Sequence, residues 1–293
     1  MTIKGIDNGY GYTKDESMNV FKSAYTKEEP VSLYSGHKLT VNNIPYWIGV
    51  GASTIDINKM DSVINKLCTL TCLGLSDDDV FKVVVGLPIN QYRVNKDIFR
   101  DIVMGYDNSK ISIDDNFTKT IHIVDVSVCP QSVATLYSSD IVDDVIIVDV
   151  GYRTVDIALV QIINNKPNVV LCDTYYCGML SLYDKISSSI NQKFELTTTA
   201  NDMEHLLKRG LYINGKRQDI SYLSEILRVY FEKMFSQLIV NYPTKTTPVL
   251  LTGGGASFVY KAFLNRFPQT VMHKNNQFSN AVGYYQIGKI IFS

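Results

Sequence analysis

Two stretches of the sequence share a short pattern in which an aspartate precedes a glycine and a tyrosine. The first is IDNGYGYT at residues 6–13, and the second is VDVGYRTV at residues 148–155, which lies 142 positions further along the chain. Glycine-rich turns let backbone N–H groups approach an anion closely. A single copy of this pattern is more often an ordinary hairpin turn, but the repeat predicts two parts of one phosphate-binding site.

The residue types in these two turns predict how such a site would work. Lys14 adds a positive charge for phosphate oxygens, and Asp7 and Asp149 would hold magnesium through its water shell, because this ion gives up its water reluctantly. Backbone N–H groups would come from three glycines, Gly9, Gly11 and Gly151.

A third glycine-rich turn follows the apolar run at residues 249–251. Its three consecutive glycines are Gly253, Gly254 and Gly255. They could pass one face of an adenine or guanine without a side chain in the way. The sequence has no GxxxxGK[ST] motif and no GxGxxG motif opening a helix, so the predicted site is neither a P-loop nor a Rossmann turn.

The elements around these turns predict a duplicated α/β fold. Each half opens with the same strand–Asp–turn unit, and such internal similarity is typical of duplication, with a cleft between the halves. Pro130 suits the first turn of a helix, and the apolar stripe from Ile220 to Ile239 is expected to lie in the core. The predicted strands cover residues 3–6, 83–85, 121–126, 145–148, 156–163, 168–172 and 249–251. The predicted helices cover residues 94–104, 130–137 and 220–239.

Composition excludes several classes of protein. The chain has 293 residues, 45% hydrophobic and 19% charged, with a net charge of −1. These values are typical of a globular protein with one or two domains and do not favour disorder. The near-neutral charge, without clustered Lys and Arg, argues against direct nucleic-acid binding.

The five cysteines show no zinc-type spacing and are expected to be reduced thiols. With no signal peptide or membrane span predicted, we expect a cytoplasmic protein that does not bind a membrane.

In their order along the chain, the motifs resemble those of the actin-fold ATPases. The resemblance extends over nearly the whole sequence and is strongest to the bacterial plasmid-segregation actins of the ParM and AlfA type. The stretches that carry it are IDNGYGYTK, CPQSVATLY, IIVDVGYRTVDIALV, LLTGGGA and FSNAVGYYQIGK.

This resemblance implies further site residues. Gln131 falls where the family keeps a Gln or Glu that orients the attacking water, and a neutral amide predicts slow hydrolysis, since it is a poor base. Thr154 falls on the second phosphate loop, and Asp156, two positions along the strand, faces the same side and could reach that water. Less specific positions in nucleotide-contacting regions are Tyr10, Gly178, Lys208 and Arg209. The tyrosines beside the turns, Tyr10, Tyr12 and Tyr152, are otherwise expected to be half-buried packing residues.

The resemblance also implies an organisation and a function. We expect an actin-like, duplicated ribonuclease-H-like fold, with domain I at residues 1–144 plus 278–293 and domain II at residues 145–277. A modest outer subdomain is expected near residues 181–220.

The implied function is polymerisation with ATP or GTP and Mg²⁺ into a head-to-tail filament that segregates low-copy plasmids. It would act through a DNA-bound adaptor of the ParR type, and slow hydrolysis would trigger disassembly. The alternatives are a small sugar or acid kinase of the same superfold and a nucleotide-gated scaffold protein, because fold alone does not determine function.

Overall fold

The structure is a computed structural model that describes residues 1–31, 36–53, 60–164 and 166–293. The strands in these ranges are β1 (Thr2–Asn8), β2 (Tyr12–Asp15), β3 (Val20–Lys22), β4 (Ala24–Thr26), β5 (His37–Val41), β6 (Ile44–Ile48), β7 (Ala52–Ser53), β8 (Val80–Leu87), β9 (Ser109–Ile113), β10 (Lys119–Pro130), β11 (Val145–Val150), β12 (Val155–Ile163), β13 (Lys166–Tyr175), β14 (Tyr212–Ile213), β15 (Lys216–Arg217), β16 (Val249–Thr252) and β17 (Thr270–Met272). The α-helices are α1 (Val63–Gly74), α2 (Ile89–Met104), α3 (Met179–Phe194), α4 (Ala200–Arg209), α5 (Ser224–Asn241), α6 (Ala256–Arg266) and α7 (Ser279–Ile291). Two short 3₁₀ helices span Val133–Ser138 and Ser221–Leu223.

The two main sheets repeat one topology. The first contains the order β3-β2-β1-β8-β10, and the second has the order β13-β12-β11-β16-β17. In each, the central strand pairs antiparallel with the hairpin strand that follows it and parallel with a later strand. The strand β1 therefore corresponds to β11, and the predicted duplication is present in the fold.

The first sheet continues beyond β10 through β9-β5-β6-β4-β7. We call this sheet with α1, α2 and α7 the first domain, and the second sheet with α3 to α6 the second domain. The central strands β11 and β16 are wholly buried and β8 is largely buried because helices cover the sheets, which explains the apolar runs at residues 83–85, 145–148 and 249–251.

Helix α7 belongs to the first domain although it follows the whole second domain in the sequence. It packs on β1, β8 and the 3₁₀ helix Val133–Ser138. Its Tyr284 is fully buried against Val84, Cys129 and Ala134. A side chain at Gly86 would collide with the Tyr284 hydroxyl group, so this close packing requires glycine.

The segment between residues 181 and 220 adds a small layer beside the second sheet. It consists of most of α3, all of α4 and the two-stranded hairpin β14–β15. Helix α4 begins with a capping box, in which the Thr199 side chain and Asp202 satisfy each other's backbone N–H groups. In the described part of the chain, no helix combines the length and the apolar character that crossing a membrane requires.

Two expectations about local structure were wrong. Pro130 ends strand β10 instead of beginning a helix, and it pairs with Leu87 of β8. Helix α2 begins at Ile89, five residues earlier than predicted, directly after Pro88, whose fixed φ suits a helix entry. The apolar stripe between residues 220 and 239 lies in or against the core of the second domain as expected, with Tyr230, Met234 and Leu238 buried on α5, except for its last residue, Ile239, which is 42% exposed.

Candidate functional site

The two predicted turns occupy equivalent positions in the duplicated sheets. The first turn, residues 9–11, joins β1 to β2, and the second turn, residues 151–154, joins β11 to β12. Asp7 is the cross-strand partner of Lys14, and Asp149 is the cross-strand partner of Asp156. The first hairpin thus carries a carboxylate with an ammonium group, whereas the second carries two carboxylates.

Both turns face a single cavity of about 870 Å³. The glycine turn, residues 253–255, follows β16 and closes another side of it. The structure therefore brings together residues from distant parts of the sequence. The predicted site residues that line this cavity are Asp7, Gly9, Tyr10, Gly11, Lys14, Gln131, Asp149, Gly151, Thr154, Asp156, Lys208, Gly253, Gly254 and Gly255.

Two of the predicted positions are not in the lining. Gly178 is buried at the start of α3, where a side chain would meet the backbone of Tyr152 and Arg153, so it supports the second turn from behind. Arg209 lies over the ring of Tyr212, with 5.7 Å from its guanidinium carbon to the ring centre. Neither residue is therefore placed to contact a molecule in the cavity.

The carboxyl group of Asp149 lies in an unusual electrostatic environment. Burial, together with the charges of Asp156 and Asp7, raises its pKa to about 7. Asn280 opposes this shift by donating a hydrogen bond from Nδ2 to Asp149 Oδ2 at 2.8 Å, and Lys14 opposes it through its charge. Ionised Asp149 is therefore unfavourable unless positive charge enters the cavity.

Asp156 adds to the same negative charge. Burial raises its pKa to about 6, although Thr174 and Thr154 donate hydrogen bonds to its two oxygens at 2.6 and 3.1 Å. Lys14 Nζ lies 3.5 Å from Asp7 Oδ2. One lysine thus faces three carboxylates, which is a favourable environment for a divalent cation.

The described residues include no group of three or more His, Cys, Asp or Glu side chains that could hold a metal ion. Asp7 and Asp149 are contributed by two different sheets. This arrangement would suit a magnesium ion that keeps its water shell, with Asp7 and Asp149 as the residues that would hold it through those waters.

Gln131 follows directly after β10 and reaches toward the first hairpin. Its backbone N–H donates to the carbonyl of Leu87 at 2.8 Å, and its Nε2 lies 3.5 Å from Asp7 Oδ1. The next residue, Ser132, has φ 68° and ψ −54°, and the N–H of Val133 donates to the carbonyl of Gln131 at 2.8 Å. This is a strained γ-turn, and it places the Gln131 side chain at the cavity.

The glycine turn is shaped by its contact with the second hairpin. Gly253 has φ +91°, and a side chain there would collide with the Asp149 carboxylate and the carbonyl of Val150. Gly254 is exposed, and a side chain there would meet no protein atom within 4 Å. Packing against the second hairpin therefore requires glycine at position 253, whereas Gly254 leaves open space in the cavity.

The tyrosines that flank the turns connect the two domains. A side chain at Gly11 would lie 2.7 Å from Cγ of Tyr152, so the ring of Tyr152 packs directly on the first turn. Arg153 of the second turn lies over the ring of Tyr10, 5.2 Å from its centre. These contacts across the cavity were not foreseen from the sequence, because either aromatic ring could equally have packed within its own domain.

Lys208 lines the cavity, but its ammonium group bonds to Glu204 Oε1 at 2.9 Å on the same helix. The most important residue missed by sequence reasoning is Asn280, which contacts Asp149. It stands within the stretch FSNAVGYYQIGK, so the stretch was recognised while the function of its asparagine was not.

Comparison with known protein families agrees with this geometry. Residues 5–133 match the family model described as actin like proteins N terminal domain. Residues 147–265 match the model described as archaeal actin homologue MreB-like, C-terminal. The chain therefore carries an N-terminal domain that matches the actin-like proteins and a C-terminal domain that matches the archaeal MreB-like actin homologues.

Solved structures with the same fold include filaments and a nucleotide complex. A 15-stranded ParM filament from Clostridium botulinum has a TM-score of 0.82 at 20% identity, with 99% of each chain covered. An archaeal actin homologue in complex with ADP has a TM-score of 0.80 at 17% identity, covering 99% of this chain and 100% of that one. The Alp12 filament structure has a TM-score of 0.71 at 18% identity, with 99% of each chain covered. Among curated proteins, no sequence matches this chain significantly. The expected actin-like two-domain fold is thus confirmed.

Proposed function

We propose that this protein binds and slowly hydrolyses a nucleoside triphosphate, and that the bound nucleotide controls its assembly into filaments. The observation that carries this proposal is the pair of equivalent hairpins, with Asp7 and Asp149, facing one cavity of about 870 Å³. The triphosphate would lie between the first and second turns, where backbone N–H groups and Lys14 can meet its oxygens.

The residues of the cavity divide into three functions. The turns hold the phosphates, and residues 253–255 leave room for the purine and its ribose. Asp7 and Asp149 would hold Mg²⁺ through water, and this ion would offset the charge on the phosphate oxygens. Gln131 would orient the attacking water, and Asp156 could accept a hydrogen bond from it. A neutral amide positions water but removes a proton poorly, so slow turnover is expected.

Self-assembly is supported by the filaments that proteins of this fold form. A head-to-tail contact between identical subunits does not close on itself and produces fibres. Nucleotide binding would favour the assembling conformation, and hydrolysis would weaken it.

The biological task that we propose is plasmid segregation. The net charge of −1 gives little attraction for DNA, so the filament would need a DNA-bound adaptor of the ParR type. Whether ATP or GTP is preferred depends on contacts to the base, for which the cavity offers Lys208 and the glycine turn.

The first experiment measures sedimentation and light scattering with ATP, GTP, ADP and a non-hydrolysable triphosphate analogue, each with Mg²⁺. We expect polymer with triphosphates and little with ADP. Absence of a nucleotide-dependent polymer at every concentration tested would refute the assembly part of the proposal.

The second experiment measures phosphate release from site variants. We expect Asp149→Ala to abolish hydrolysis, and Gln131→Ala to lower kcat about 100-fold while sparing nucleotide affinity. The matched control is Asp143→Ala, which removes an exposed carboxylate close in sequence and should turn over normally. Unchanged turnover in Asp149→Ala would show that the second hairpin is not the hydrolytic site.

A further inference from the structure

Asn280 lies at the first turn of α7 and is buried between the two domains. Its Nδ2 donates to Asp149 Oδ2 of the second domain at 2.8 Å. Its Oδ1 accepts the backbone N–H of Ser132 at 3.0 Å, in the first domain, and lies 3.2 Å from Thr135 Oγ1. One side chain thus joins the second hairpin to the segment that follows Gln131.

The chemistry of the partners fixes the orientation of the Asn280 amide. A backbone N–H can only donate, so Oδ1 must face Ser132, whereas an ionised carboxylate can only accept, so Nδ2 must face Asp149. Among uncharged side chains of this size, the asparagine amide offers an acceptor on one side and a donor on the other without needing to bind a proton. Aspartate at this position would keep the acceptor, lose the donor and place a second carboxylate beside Asp149.

The segment held by Asn280 is strained. Ser132 has a positive φ and a fully buried side chain whose Oγ has no hydrogen-bond partner among the described residues. A non-glycine residue keeps such a conformation only where its surroundings enforce it. The hydrogen bond from the Ser132 N–H to Asn280 is one of the contacts that hold this conformation, and the γ-turn sets the position from which Gln131 enters the cavity.

We propose that Asn280 is a positioning residue that couples Asp149 in one domain to Gln131 in the other. This inference rests on the proposed function, because Gln131 and Asp149 are its proposed water-orienting and metal-holding residues. A change in the ligand bound at the second hairpin would be transmitted from Asp149 through the Asn280 amide to the strained γ-turn at Ser132. The alignment of the attacking water would then depend on the relative position of the two domains.

The kinetic test uses Asn280→Ala in the complete chain, with kcat measured by phosphate release and affinity measured with a non-hydrolysable triphosphate analogue. Loss of a side chain that orients a metal-holding group typically lowers activity by about 10- to 100-fold, so we expect a fall in kcat of that size. We expect the dissociation constant of the analogue to change less than about threefold. An equal loss of affinity and kcat would indicate a general structural function and would overturn the proposal.

The matched control is Ser279→Ala, one residue earlier on the same helix. Ser279 is equally buried and bonds to Thr252 Oγ1 and Thr135 Oγ1, but no hydrogen bond joins it to Asp149 or Ser132. We expect its kcat to stay close to that of the wild type. A comparable fall in kcat for Ser279→Ala would assign the effect to the packing of α7 and would overturn the proposal.

A second test needs neither nucleotide nor metal. Asn280→Asp should lower the melting temperature at pH 8, because two carboxylates then face each other. In the double variant N280D/D149N the hydrogen bond is restored with reversed polarity, so its melting temperature should lie above the value obtained by adding the separately measured changes of N280D and D149N to that of the wild type. Additive effects of the two substitutions on the melting temperature would refute the proposed coupling between Asn280 and Asp149.

The two tests separate the inference from the function on which it rests. If the wild type does not hydrolyse a triphosphate, the proposed function fails. The melting temperatures of the single and double variants still decide whether Asn280 and Asp149 are coupled. With hydrolysis and an additive cycle, the proposed function stands and the inference about Asn280 fails.

Discussion

Replacing Asp149 by asparagine is expected to stabilise the protein in the absence of nucleotide, although the same change should abolish hydrolysis. The ionised carboxylate of Asp149 is buried, and Asp156 and Asp7 repel it. An amide of the same shape removes this charge. It keeps an oxygen that can accept the hydrogen bond from Asn280, and its new N–H groups face the remaining carboxylates.

The size of the effect follows from the raised pKa. A change from the ordinary value of 3.8 to about 7 corresponds to about 4 kcal/mol at high pH, at about 1.4 kcal/mol per pKa unit. Burying the amide costs part of this, which leaves a gain of about 2–4 kcal/mol. With an unfolding entropy of about 2.1 cal/mol/K per residue, the melting temperature should rise by about 3–6 °C.

The sign of the pH dependence is also determined. Between pH 4 and 7 the folded wild type holds a proton on Asp149 that the unfolded chain has already lost, so its stability falls as pH rises through this range. The advantage of Asp149→Asn should therefore be absent below about pH 4 and complete above about pH 7.

The assay is thermal unfolding in EDTA at pH 5 and pH 8, followed by circular dichroism. We expect the difference in melting temperature between variant and wild type to be larger at pH 8. Asp143→Asn, at an exposed position, serves as the control and should show no such difference. A variant that melts below the wild type at pH 8, or a gain that does not change with pH, would refute the electrostatic reasoning.

Three further predictions concern other contacts of the site. Gly253→Ala should lower the melting temperature by several degrees, because the new side chain would collide with the second hairpin, whereas Gly254→Ala should leave it unchanged; calorimetry distinguishes the two. Tyr284→Phe should raise stability by about 1 kcal/mol in urea unfolding, since it removes a buried hydroxyl without a partner among the described residues. Arg153→Ala should weaken triphosphate binding more than Arg153→Lys, measured by calorimetric titration, because lysine retains a cation over the Tyr10 ring; equal affinities would contradict this.

The parts of the site that could be predicted from sequence are those with a local cause. A buried strand that ends in Asp-x-Gly is followed by a glycine-containing hairpin turn. The second copy of this pattern, at Asp149, revealed the duplication. The three glycines at 253–255 were recognised in the same way. Each of these signals is contained in fewer than ten consecutive residues.

The parts that sequence reasoning missed depend on tertiary contacts. Asn280 and Asp149 are 131 positions apart, and Arg153 and Tyr10 meet only because the two sheets face each other. The helix predicted at Pro130 was wrong for the same reason. Parallel pairing with β8 extends the strand to that residue, and this long-range pairing outweighs the preference of proline for the first turn of a helix.

The position of α7 has a consequence for the order in which the chain can fold. The second domain contains its own sheet and core within residues 145–272. The first domain cannot cover β1 and β8 until α7 is available, and the contact between Gly5 and Ala281 spans nearly the whole sequence. Contacts of such long sequence separation form slowly. During synthesis on the ribosome we therefore expect the second domain to become protease-resistant first, with the first domain exposing an apolar sheet face that a chaperone could bind. Pulsed proteolysis of stalled chains would test this order, with the sequence ending before residue 279 or after residue 291 and followed by a linker long enough to clear the ribosome exit tunnel. Early protection of β1 would contradict it.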